Sequence, residues 1–101
     1  MSKVHLLDED RGVYIFHCPG CGYGHSYQTE PYTDGRGKEH SGWGFNGDVD
    51  NPTFSPSLLI NASMPEKRCH LFLRDGHIQY CGDCHHDLAG KTVECPEWDD
   101  V

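Results

Sequence analysis

Cys18 and Cys21 sit in "HCPGCGYGH", and Cys81 and Cys84 sit in "YCGDCHH". These two Cys-x-x-Cys units are the residues of the chain best suited to chemistry. Thiolate sulfur is a soft ligand, and this spacing sets two sulfurs on one side of a tight turn, as a tetrahedral zinc requires. Spacing alone, with 59 residues between the units, reads as a four-cysteine zinc ribbon. Redox catalysis would need the pair at a helix N-terminus inside a βαβ pattern. The segment behind the first pair, "GYGHSYQTEP", is a poor helix, so that chemistry is set aside.

Six cysteines would also suit a secreted disulfide scaffold, but no signal-like apolar stretch opens the chain. The longest apolar run is Leu58-Leu59-Ile60, far short of the roughly 20 residues that span a bilayer. The expectation is a cytoplasmic protein with reduced thiols and no membrane partner, which favours ligands over bridges.

Composition asks for such a ligand. Leu, Ile, Val and Phe number 19 among 101 residues, a thin supply for one hydrophobic core. A structural zinc would supply folding free energy directly. The net charge of −8 comes with no basic run longer than Lys67-Arg68, so a phosphate-binding surface for nucleic acid is not expected.

Most of the chain reads as strands and turns. "GVYIFH" is a strand entering the cysteine turn, and "GHSYQT" is its antiparallel return. Residues 29–47 form a loop anchored by Trp43 and Phe45. "TFSPSLLI" is extended, and Pro56 makes it an edge or bulged strand. The clearest element is "RCHLFLRDGHIQYC", a hairpin about Asp75-Gly76. Its alternation puts Leu71, Leu73, Ile78 and Tyr80 on the core face, with Cys69 at the far end of that face. His70 and Cys81 fall on the other face. In "DCHHDLAG", Asp83 as N-cap and Gly90 as terminator would fit one or two helical turns. "KTVEC" reads as a last strand, and Trp98 as the anchor of the tail.

Four stretches, "HCPGCGYGH", "GFNGDVDNPTFSPSLLI", "CHLFLRDGHIQYCGDCHH" and "LAGKTVECP", resemble the DUF6527 family of small phage and prophage proteins. The resemblance spans residues 12–96. Some members carry the name ammonia monooxygenase, a membrane copper enzyme whose transmembrane helices have no counterpart here. The family pattern implies a Cys3His zinc site of Cys18, Cys21, His70 and Cys84, with Cys69, Cys81 or His86 as rivals for a place. Cys95 is then a small buried residue. The resemblance also implies a third class of function, an adaptor in a ubiquitin-like conjugation pathway.

The eight histidines invite a catalytic alternative. An open zinc position beside His86 or Asp87 would activate water for hydrolysis. Asp48 and Asp50 in "NGDVDNP" could take a hard cation, although such residues more often bond their own backbone. The reading is one mainly β domain over residues 1–101, stabilised by zinc around a central hairpin, with at most one short helix. Its leading function is that of a phage-type accessory protein, without enzymatic activity, that binds a host or phage protein in the host cytoplasm.

Overall fold

Alternation of buried and exposed side chains organises the central strands of the computed structural model, which describes residues 2–100. Strands β1 (His5–Asp8), β2 (Val13–Cys18) and β3 (Tyr23–Gln28) form one antiparallel sheet in that order. Four short strands follow: β4 (Tyr32–Thr33) pairs with β5 (Glu39–His40), and β6 (Gly44–Phe45) pairs with β7 (Phe54–Ser55). The second large sheet has β8 (Leu58–Ile60) at one edge, then β9 (Cys69–Arg74), β10 (His77–Tyr80) and β11 (Thr92–Glu94). A 3₁₀ turn, Trp98–Asp100, closes the chain, and no helix is long and apolar enough to cross a membrane among the described residues.

The mainly β expectation holds, and so does the hairpin. Leu73 pairs with Ile78 and Leu71 with Tyr80, and all four are buried. Asp75 and Gly76 both have positive φ, 48° and 75°, the geometry a two-residue turn needs to match strand twist. The stretch 83–90 departs from the expectation. It forms consecutive turns and no helix, with Gly90 N–H reaching back to the Cys81 carbonyl at 3.3 Å. Side-chain contacts of this segment, described below, hold it in place of a helical ladder.

One core cluster draws residues from both large sheets. Aromatic rings make up for the scarce aliphatics. Phe16 stacks on Tyr27, Tyr27 on Phe54 at 4.2 Å, and Phe54 on Phe45 at 4.5 Å. Such offset stacks contribute about 0.5–1.5 kcal/mol each beyond their burial. Trp43 meets the edge of this ladder through Tyr27, so the two predicted loop anchors both reach the core. Asp48 bonds its own turn, its Oδ1 accepting from the N–H groups of Asp50 and Asn51.

Candidate functional site

Period-two alternation sends neighbouring residues of β9 to opposite sides of the sheet, and a different cluster forms on each side. Cys69, Leu71 and Leu73 point into the core, while His70 and Phe72 point away from it.

On the inner side, Phe16 and Cys18 of β2 and His25 and Tyr27 of β3 are buried by the same alternation. Cys18 pairs with Tyr23, which sets His25 two residues along on the same face. Ligand atoms of Cys18, Cys21, His25 and Cys69 all lie within 4.8 Å of one another. The cysteine turn therefore packs over the leucine face of the hairpin. The ligand set implied by the family pattern, with His70 in it, would instead need the turn over the opposite face. Register explains the difference: Cys69 and Tyr80 share the leucine face, and the Tyr80 hydroxyl lies 3.0 Å from Cys18 Sγ. The same hydroxyl accepts from Gly20 N–H at 3.3 Å, so its own proton is free to go to sulfur.

Electrostatics mark this cluster. Hydrogen bonding from the Cys69 thiol pulls the Cys18 thiol far below its ordinary range, against the opposing effect of burial. Cys69 is pushed far up in turn, first by that bond and then by burial. Burial and the Cys18 charge push Cys21 up to about 11. His25 is 5% exposed, and its Nε2 has no hydrogen-bond partner among the described residues. A buried, unpartnered imidazole nitrogen beside three sulfurs is a donor set that fits a soft or borderline metal ion.

On the outer side, the parity of β8 matters. Leu59 pairs with His70 and faces outward, and Ser57, two residues earlier, has the same parity. Ser57 Oγ lies 3.1 Å from His70 Nε2, and His70 Nδ1 lies 3.3 Å from Asp83 Oδ1. Hydroxyl, imidazole and carboxylate thus stand in a line, with the two imidazole nitrogens each engaged on its own side. Trp43 Nε1 donates to the Ser57 carbonyl at 3.4 Å, tying the serine backbone to a core anchor. A groove of about 150 Å³ is lined by His40, Ser41, Gly42, Trp43 and Pro56, the residue before Ser57. It shares His40 and Ser41 with a larger trough of about 570 Å³ that extends over Pro31–Thr33.

Of the residues singled out in the sequence, Cys18 and Cys21 lie in the inner cluster, and His70 lies on the outer face with Ser57. Cys84 stands between the two. Its Sγ is 3.1 Å from the His70 carbonyl oxygen and 3.3 Å from the His70 N–H, and it also groups with Cys69 and His86. Cys81 groups with His70 and Asp83 on the outer face. Cys95 is buried away from both clusters, its thiol pushed up to about 12 by burial. Ser57 and the pairing of Asp83 with His70 were not anticipated. The only available signal was parity: an edge strand, a serine two residues before an outward Leu, and an outward His on the neighbouring strand.

The family model described as "Bacterial ubiquitination-like system serine protease (BubE)" matches residues 1–81. The chain belongs to the BubE family. This overturns the DUF6527 resemblance, for which the comparisons give no support. The BubE match includes Ser57 and His70 and stops two residues short of Asp83. Among curated proteins and solved structures, nothing matches the chain.

Proposed function

We propose that this BubE-family chain is a serine protease acting on a protein of a bacterial ubiquitination-like system, with Ser57 as nucleophile. The observation that carries the reading is the Ser57–His70–Asp83 line, with its 3.1 and 3.3 Å contacts. The description of the matched family supports the protein class of the substrate.

The chemistry follows from the contacts. Asp83 accepts from Nδ1–H, which leaves Nε2 as the lone-pair nitrogen facing the serine hydroxyl. His70 takes the Ser57 proton as Oγ bonds to the scissile carbonyl carbon. The proton then passes to the leaving amine as the C–N bond breaks, leaving an ester on Ser57. Water, deprotonated by His70, cleaves that ester and restores the hydroxyl. This reading replaces the zinc hydrolase built on His86 or Asp87 with a hydrolase that needs no metal at the reacting atoms.

Reaction with a fluorophosphonate probe tests the proposal. Intact mass should show one adduct per chain, mapped by proteolysis to Ser57 and absent from Ser57→Ala. Adducts scattered over several serines, or none, would refute it.

A separate observation favours a second component. The four donors within 4.8 Å, one of them a buried orphan, support a structural zinc held by Cys18, Cys21, His25 and Cys69. Four protein ligands close the coordination shell, so this metal would hold structure and would not touch substrate.

A further inference from the structure

The residues joining the two clusters lie in one turn, 81–90, whose contacts run in both directions. Towards the inner cluster, His86 Nε2 lies 3.4 Å from Cys69 Sγ and His85 Nε2 lies 3.4 Å from Cys21 Sγ. The His86 ring also lies against Gly20 of the cysteine turn and edge-on to Tyr80 at 4.6 Å. Leu88 N–H donates to His86 Nδ1 at 3.3 Å, so the ring carries its proton on Nε2, the nitrogen that faces sulfur. Towards the outer cluster, the same turn carries Asp83, which is 43% exposed and reaches His70 from solvent.

We infer that the thiol-bound metal positions Asp83 for catalysis, acting through His85 and His86. The inference rests on the structural-zinc reading of the inner cluster. Three thiolates and one neutral imidazole on a divalent ion carry a net negative charge, and such sulfurs accept hydrogen bonds from N–H groups beyond the metal shell. A protonated thiol is by contrast a weak acceptor. The metal thus converts two weak contacts into charge-assisted ones, and both lie within three residues of Asp83. Cys84 completes the coupling by clasping both backbone polar groups of His70, so the turn and the imidazole move together. In this account His85 and His86 are positioning residues, and neither meets substrate.

Two arms test the coupling. In the first, the full-length protein is stripped with a strong chelator, and metal content, near-ultraviolet circular dichroism and the rate of fluorophosphonate labelling at Ser57 are followed together. The expected result is labelling slowed at least roughly tenfold, recovered on adding Zn²⁺, with loss and return of the downfield proton resonance of His70 Nδ1–H. In the second, His85→Ala/His86→Ala retains the four metal ligands. It should keep one zinc per chain, lose the downfield resonance, and hydrolyse p-nitrophenyl acetate with lower kcat at unchanged KM. A zinc-loaded double variant with the wild-type resonance and kcat overturns the coupling, even if stripped wild-type protein unfolds. Protein that labels at the full rate yet never contains stoichiometric metal overturns the zinc reading itself, and the metal assay identifies that case separately.

Discussion

Cys69 and His70 are consecutive residues of β9 whose side chains lie on opposite faces of one sheet. The first enters a buried thiol cluster and the second joins Ser57 and Asp83 at the surface. This back-to-back arrangement follows from the two-residue period of a strand, and it separates two sets of groups that would otherwise interfere. A thiolate cluster within reach of Ser57 would compete for the imidazole. A serine facing the core would never meet substrate. The sheet itself is the partition.

The outer line predicts a graded series of variants. Ser57→Ala and His70→Ala should each lower kcat for peptide or ester cleavage by roughly 10⁴-fold or more, since nucleophile and base act as a unit. Asp83→Asn should cost less, roughly 10²–10⁴-fold, because a 43% exposed carboxylate is screened by water. All three should keep their metal and melt near the wild-type temperature. Steady-state kinetics beside metal analysis reads both halves of the prediction.

The aromatic ladder gives a prediction of unusual sign. Tyr27 is fully buried between Phe16 and Phe54, and its hydroxyl has no hydrogen-bond partner among the described residues. An unpaired buried hydroxyl costs about 1–3 kcal/mol. Tyr27→Phe should therefore raise the midpoint of thermal unfolding, while Phe54→Ala should cost about 3–5 kcal/mol. Differential scanning calorimetry of both variants decides it.

Legibility in the sequence followed the range of each physical rule. The hairpin was readable because Asp-Gly fixes a turn and the turn fixes the register, so the burial of Leu71, Leu73, Ile78 and Tyr80 follows from local chemistry. That register also put Cys69 among the leucines, so it already held the correct face for the cysteine turn. A ligand role for His70 would instead require the turn on the other face. Ser57, His70 and Asp83 were beyond reach because their meeting depends on non-local facts. One is that β8 lies beside β9 and aligns Leu59 with His70; the other is that 83–90 folds as turns. From sequence alone Asp83 reads as a helix cap and Ser57 as part of an edge or bulged strand.

The chain termini supply a pH-dependent prediction. Lys3 is buried, with Nζ 3.0 Å from Glu97 and 3.5 Å from Glu94, and Trp98 N–H donates to the Ser2 carbonyl nearby. The hydrogen bond to Glu97 is the main cause that raises the Lys3 ammonium above its ordinary value, with burial opposing. A raised folded value means that Lys3 stabilises the fold fully below the unfolded lysine value of about 10.4. That contribution fades as the pH climbs through the folded value. Lys3→Met should therefore melt below wild type by roughly a few degrees at neutral pH. The gap should close in strongly alkaline buffer. A gap that stays constant with pH would assign the loss to packing of the lysine stem.

The inner cluster makes the sharpest demand on individual thiols. Cys18, Cys21 and Cys69 share one site, whereas Cys81 lies on the outer face and Cys95 is buried elsewhere. Ser at 18, 21 or 69 should abolish stoichiometric zinc, and Ser at 81 or 95 should leave it. His70→Ala should also keep the metal, because β9 turns that ring away from the thiols. Loss of zinc on acidification should accompany the first set of contacts, since protons compete with the metal for sulfur and imidazole. Folding should fall with it, because a structural zinc in a chain this poor in aliphatic residues contributes on the order of 10 kcal/mol. Native mass spectrometry of each purified variant gives the stoichiometry. A His70→Ala protein without zinc, or a Cys69→Ser protein that retains it, would return the ligand set to the opposite face of the strand.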